Sequence, residues 1–388
     1  MLKSACPLCA SADLGEITER PNVPVHQNKL YDTRAGAREA TRGHLKVVAC
    51  LTCGFVFNAA FDLSLMSYDA NYENDQTHSP AFSAHVDKLA DRLLSESGVR
   101  NSRIVEVGCG QGTFLKKLVM ADAGNVGWGF DPAYSGPQRA VDDRVEFVRS
   151  FYDGTHADLA PDVVICRHVI EHVPDPAKLL TELRHASTGA RVFIETPDVE
   201  WILRNAVIWD FFYEHCSYFS PSSFLTAFYH AGFSGVKSTH VFGGQYLWVE
   251  AGGTGDGERM RCGDPGEIGH SAQRYAKTEH EMLARWKDTI EVLRQSGPIA
   301  LWGAGAKGVT SASLFDPGSE IINSIVDLNP RKQGRYIAGS GHEIISPAQL
   351  VPRGVRSVVL MNPNYFEEVQ QLLKMKEIDV KIIVDANV

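Results

Sequence analysis

Short apolar runs alternate with longer stretches of helical period over much of this chain, and that alternation predicts a parallel α/β architecture. Ile104, Val105 and Val107 suit a buried strand; glycines follow at 108, 110 and 112, and a helix start at Phe114 and Leu115. Further strands are expected over residues 126–130, 145–148, 163–166 and 191–195. Helices are expected from about Pro80, with apolar positions at Phe82, Val86, Leu89 and Leu93, and over residues 221–230 and about 270–295. Ser220 suits the N-cap of the second of these, Pro221 its first position and Gly232 its end. Strand-like runs at 236–242 and 246–250 precede a Gly-rich break at 252–257, which reads as a boundary. A second strand–turn–helix then begins at Ile299, with glycines at 303, 305 and 308, and strands follow at 325–327, 355–361 and 381–384.

Composition narrows the partners. A chain of 388 residues can build two or three domains with sizeable cores. The formal net charge of -9, with no long Lys/Arg run, gives no electrostatic case for nucleic-acid binding. No apolar stretch is long enough to span a bilayer, and the N-terminus lacks a basic region followed by an apolar core. A cytoplasmic protein without membrane contact is the expectation. Eight cysteines without such a signal point to thiols or metal ligands in a reducing compartment.

Half of those cysteines form two knuckles, Cys6-Pro-Leu-Cys9 and Cys50-Leu-Thr-Cys53. Each tight turn can aim two sulfurs at one point, so Cys6, Cys9, Cys50 and Cys53 are candidate ligands of a structural zinc. A redox C-x-x-C or simply buried thiols are the competing readings. Four thiolates would leave no open coordination position, so such a metal would fold a module rather than carry out chemistry.

The first glycine turn can hold a nucleotide-like group at the mouth of an open sheet, with Asp131 about 20 residues on, where such folds place a ribose-binding acid. The second turn, Gly303-Ala-Gly-Ala-Lys-Gly308 with Asp327 after its next strand, is equally a dinucleotide fingerprint and supports a nicotinamide-dependent or plain nucleotide-binding alternative. Glu106-Val-Gly-Cys-Gly-Gln-Gly112, Gly129-Phe-Asp131 and His168-Val-Ile-Glu-His172 together resemble class I S-adenosylmethionine-dependent methyltransferases. The resemblance implies a cofactor site of Glu106, Gly108, Gly110, Gly112, Asp131 and His168, with Asp153 on the adenine side.

Between residues 209 and 220 aromatics crowd around Glu214 and His215, a partly desolvated setting in which a carboxylate can tune an imidazole. A buried structural Glu–His pair on a helical face is the other reading. Tyr68 and Tyr72 lie in a polar stretch that does not call for two aromatics, although surface tyrosines are common.

The order of parts, with Gly303-Ala-Gly-Ala-Lys-Gly308, Val326-Asp-Leu-Asn-Pro330 and Lys332-Gln-Gly-Arg-Tyr336, resembles the sugar C-methyltransferases of deoxysugar biosynthesis over essentially the full length. This implies a class I methyltransferase Rossmann-like core with a small N-terminal zinc module and a second, C-terminal Rossmann-like domain. The expected boundaries are 1–60, 61–255, a helical linker at 256–298, and 299–388. The substrate implied is a nucleotide-linked 4-keto-6-deoxysugar methylated at C3. His215 would be the base, with Glu214 beside it and Tyr72 donating to the ketone oxygen. Tyr68, Tyr213, Lys307, Asn362, Asn364 and Tyr365 would contact substrate. Two positions depart from the family: Phe212 stands where it has a tyrosine, and Met361-Asn-Pro-Asn-Tyr365 where it has a Trp-Asn pair. An O- or N-methyltransferase acting on a sugar or another small metabolite is the nearer alternative.

Overall fold

A computed structural model describes residues 2–67, 71–252 and 265–384. Its centre is an eight-stranded sheet in which Arg191–Pro197, Val163–Arg167, Arg103–Val107, Val126–Phe130 and Val145–Val148 run parallel, in that spatial order. These strands are apolar because helices cover both faces of a parallel sheet; Ile104, Val105, Val163, Val164, Ile165 and Ile194 are wholly buried. Tyr246–Gly252 and Ser234–Val241 extend one edge antiparallel. The helix Pro221–His230 begins where expected, with Ser220 and Ser223 forming a capping box.

A five-stranded parallel sheet follows near the C-terminus, in the order Ile344–Ile345, Ile322–Val326, Ile299–Trp302, Ser357–Leu360, Lys381–Ile383. The long helix Ile268–Gln295 lies between the two sheets in the chain and buries Tyr275 and Trp286. The turns after Ile299–Trp302 and Ser357–Leu360 therefore open at neighbouring strand ends, where an open α/β sheet holds its ligands. Gly308 is obligatory there, since a Cβ would lie 1.9 Å from the Gly303 carbonyl oxygen.

The N-terminal strands Leu14–Pro24, Arg42–Cys50 and Val56–Asn58 form an antiparallel sheet whose fourth strand is Ser217–Tyr218. The N-terminal part thus pairs directly with the chain two residues beyond His215. Leu30–Tyr31 pairs with Tyr336–Ile337, joining the N-terminal part to the C-terminal sheet as well. No helical face forms over residues 209–216, whose backbone is irregular. Among the described residues no helix is long and apolar enough to cross a membrane. Tyr68, Cys262 and most of the Gly-rich break lie outside the described residues.

Candidate active site

The cofactor half is built by the strand Arg103–Val107, a turn, and the helix Thr113–Ala121. Gly108, Gly110 and Gly112 all adopt left-handed φ. Gly110 (φ 52°) is the informative one, because a Cβ there would meet nothing within 4 Å, which leaves open space against bare backbone. Asp131 caps this turn, accepting from the Gly110 N–H at 2.9 Å and the Ala133 N–H at 2.8 Å. Each carboxylate oxygen keeps a lone pair, so two vicinal hydroxyls can still be accepted. Burial raises the Asp131 pKa. The turn, the acid and the open space fit a nucleoside-type cofactor.

Glu106 plays a supporting part. It is buried and accepts from the Leu115 N–H at 3.1 Å, and burial pushes its carboxyl up to about 7. Asp153 is half-exposed and caps its own short turn through Thr155. Phe151 beside it is 77% exposed, so that rim carries an uncovered ring.

His168, also with left-handed φ, meets Glu195 and Glu171 at 3.4 Å each. Burial opposes its charge, but the two carboxylates raise it to about 9. Glu195 is the hub, binding His85 at 2.5 Å and Arg167 at 2.8 Å. Burial opposes its ionisation too, yet Arg167 and His168 hold the Glu195 carboxyl well below the usual range. Glu171 lies within the His168-Val-Ile-Glu-His172 motif, whereas Glu195 and His85 did not stand out in the sequence because they lie far from His168 along it.

Residues 209–218 bring the second half together, each side chain running to a different element. Trp209 donates to the Met361 carbonyl at 3.1 Å, and Asp210 pairs with Lys307 in the second glycine turn. Phe212 lies over the His215 ring, centroids 4.1 Å apart. Glu214 accepts from the Gln27 N–H at 3.2 Å and the Tyr72 hydroxyl at 3.1 Å. Burial pushes its carboxyl up to about 8. His215 stacks edge-on against His172 at 4.8 Å. Burial first, then the neighbouring His172, His168 and Lys307, holds its pKa well below the ordinary histidine value. Burial thus disfavours charge on the imidazole and on the carboxyl alike, the reverse of an ion pair.

These groups line one cleft of about 280 Å³, with His168, Glu171, His172 and His215 on one wall and Gly303–Gly308, Asn362 and Tyr365 on the other. Lys332 also faces it, donating to the Ala304 carbonyl at 3.0 Å beside Asp327. That ammonium partly neutralises the acid expected to hold a dinucleotide ribose, which weighs against the nicotinamide alternative.

Two expected substrate contacts are corrected by this geometry. Tyr213 is fully buried against Gly43, and its hydroxyl accepts from the Asp62 N–H at 2.8 Å, so it does not replace the hydroxyl missing at Phe212. Asn364 bonds the Phe242 carbonyl at 3.0 Å and Gln245 at 3.2 Å, holding a loop rather than lining the cleft. Sequence reasoning missed His172, although it closes the His168-Val-Ile-Glu-His172 motif. Its Nδ1 is buried with no hydrogen-bond partner among the described residues, at a cost of about 1–3 kcal/mol that a ligand can offset.

The four knuckle sulfurs lie within 4.8 Å of one another. Two of the approaches join opposite knuckles, Cys6 to Cys53 at 3.7 Å and Cys9 to Cys50 at 3.5 Å. Tetrahedral zinc with bonds of ~2.3 Å requires sulfurs ~3.8 Å apart, so the donor set and spacing fit. Both knuckles fold alike: Ala10 and Gly54 take left-handed φ and return their N–H to the Cys6 and Cys50 carbonyls at 2.9 Å.

A family model described as a methyltransferase domain matches residues 79–238, and one described as the C-methyltransferase C-terminal domain matches residues 270–385. By these matches the chain carries a methyltransferase domain followed by a C-methyltransferase C-terminal domain. The C-methyltransferase NovU of Streptomyces niveus is 24% identical, over 94% of this chain and 90% of its own length. A ubiquinone biosynthesis O-methyltransferase of Aeromonas salmonicida is 33% identical over 29% of this chain, and the match spans 48% of that protein. Among solved structures, the 1,6-didemethyltoxoflavin-N1-methyltransferase of Burkholderia thailandensis superposes with a TM-score of 0.35 and 16% identity, covering 45% of this chain and 82% of the other.

Proposed function

We propose that this methyltransferase acts on carbon, adding a methyl group at C3 of a nucleotide-linked 4-keto-deoxysugar. The observation that carries the reading is the arrangement of His215, Glu214 and Tyr72 in one cleft, where Glu214 is bonded to Tyr72 and burial disfavours charge on both the carboxyl and the imidazole. A hydrogen on carbon beside a ketone is removed only if the developing enolate oxygen is stabilised. A protonated Glu214 carboxyl can turn its own hydrogen to the Tyr72 oxygen, which frees the single Tyr72 hydroxyl proton to stabilise such an oxygen without prior charge. His215 is unprotonated and can take the proton, and its lowered basicity places more of the work on that donor. S-adenosylmethionine supplies the electrophilic methyl group. The remaining task of the protein is alignment of the two carbons, served by the Gly108–Gly112 turn on one side and the cleft on the other.

The second glycine turn, with Lys307, Asn362 and Tyr365, is proposed to hold the nucleotide-sugar portion. Residues 1–60 are proposed as a zinc-folded module, 61–255 as the cofactor-binding domain, 256–298 as a linker and 299–388 as the second Rossmann-like domain. The similarity to a C-methyltransferase over 94% of the chain supports this reading, whereas the O-methyltransferase likeness covers 29% of it.

The test is a panel of keto-sugar nucleotides incubated with enzyme in D2O, with the product mapped by NMR. Deuterium at the ring carbon beside the ketone, without enzyme-free exchange, and a new methyl on that carbon are expected. A methyl found on oxygen or nitrogen overturns the reading.

Glu214 gives a pH signature. Its folded pKa is raised to about 8, so the donor form is present below that value and is lost as pH rises through it. Above it kcat/KM should fall about tenfold per pH unit. Glu214→Gln, which cannot ionise, should flatten this alkaline limb at the cost of a lower plateau. An unchanged limb would move the titration to another group.

A further inference from the structure

Tyr72 reaches Glu214 from a segment held both by residues 28–30 and by side chains of the C-terminal part of the chain. Its backbone is laid beside residues 28–30, with Leu30 N–H donating to the Asn71 carbonyl at 3.0 Å and Glu73 N–H to the Asn28 carbonyl at 2.9 Å. Leu30 and Tyr31 are themselves paired with Tyr336 and Ile337. Arg335 donates to Asn71 Oδ1 at 3.1 Å, and Arg331 lies 3.4 Å from Glu73. Arg331 is 73% exposed, so that pair contributes little.

The far end of the segment is held more strongly. Ser79 donates from its hydroxyl to Glu368 Oε2 at 2.6 Å while its oxygen caps Phe82 N–H, and Ala81 N–H reaches the same Glu368 oxygen at 2.9 Å. Glu368 belongs to the first turn of the helix Phe366–Met375, yet its carboxylate sits on the N-terminus of the 12-residue helix Pro80–Asp91. A negative charge is favoured at that end by the helix dipole and the free N–H groups. One carboxylate therefore joins the start of a helix packed on the methyltransferase sheet to the wall that carries Tyr365.

We infer that Glu368 and Arg335 are positioning residues for the reaction: they hold the Asn71–Ser79 strap so that Tyr72 meets Glu214, which makes the proton-donating half of the site dependent on the docked C-terminal sheet. The inference rests on the role given above to Tyr72 and Glu214. Neither Glu368 nor Arg335 touches the reacting atoms. Each holds the strap, which lines the same cleft through residues 74–76, His78 and Ser79 and meets Glu214 through the Tyr72 hydroxyl.

The experiment uses the full chain and the keto-sugar nucleotide most active in the panel above. Misplacing a catalytic group slightly costs up to about 100-fold in rate, so Glu368→Ala should lower kcat about 10- to 100-fold with KM changed little. Glu368→Gln, which keeps one acceptor for Ser79 and Ala81, should recover part of that loss. Hydrogen exchange should rise in peptides covering residues 71–79 and not in those covering residues 103–107. The double variant Tyr72→Phe/Glu368→Ala should be no slower than Tyr72→Phe, since both changes remove the same interaction. If Glu368→Ala fails to fold, Arg335→Ala with Tyr72→Phe completes the same cycle. Multiplying losses in the double variant, or wild-type turnover in Glu368→Ala beside a slow Tyr72→Phe, overturns the inference and leaves the proposed function standing. Full activity in Tyr72→Phe overturns the role of Tyr72 and the inference with it.

Discussion

Replacing His215 by Asn is expected to remove methyl transfer and ring-carbon exchange together, lowering both by about 10²–10⁴-fold while both ligands still bind. The substitution keeps the approximate size and a hydrogen-bonding amide, so the ring of Phe212 and the edge of His172 retain a neighbour, but no base remains. Because the pKa of His215 lies well below the ordinary histidine value, the wild-type enzyme should show no acid limb near pH 6.5 from this residue. The base form persists as pH falls through that range and is lost only lower down. Titration calorimetry with S-adenosylhomocysteine, alongside the deuterium assay, separates a lost step from a lost fold. A His215→Asn variant that still exchanges the carbon-bound hydrogen would place the base elsewhere, and His172 is the group nearest to hand.

Loss of the knuckle metal should be as severe, by a different route. Cys53→Ser, or exhaustive chelation, is expected to unfold the knuckles, since zinc binding energy in such modules becomes folding energy on the order of 10 kcal/mol. The damage should travel, because Val56 and Phe57 pair with Tyr218 and Ser217, two to three residues past His215. Turnover should therefore fail while the Gly108–Gly112 turn, on another sheet, still binds S-adenosylhomocysteine. Metal analysis should find one zinc per chain in the wild type and none in a variant lacking both knuckles. A metal-free protein with full activity would end the structural-zinc reading.

Much of the architecture was legible in the sequence, because it depends on local rules. An apolar run of strand length, a glycine that must take left-handed φ and an apolar helix start lie within a dozen residues, so both strand–turn–helix units can be read directly. Knuckle spacing is local in the same way, as is the Ser220–Pro221 helix start. What a side chain meets across the fold is not local. Tyr213 and Phe212 are neighbours of similar size, and only the tertiary structure decided that the hydroxyl goes under Gly43 to Asp62 while the phenyl ring faces His215. In an irregular segment no period of 2 or 3.6 assigns the faces, so nothing in the sequence ranks the two. Tyr72 finds Glu214 across 142 positions, Lys307 finds Asp210 across 97, and Glu368 finds Ser79 across 289. Even the pKa shifts belong to the assembled structure: the sequence determined that a Glu and a His stand side by side, and burial in the assembled cleft disfavours charge on both.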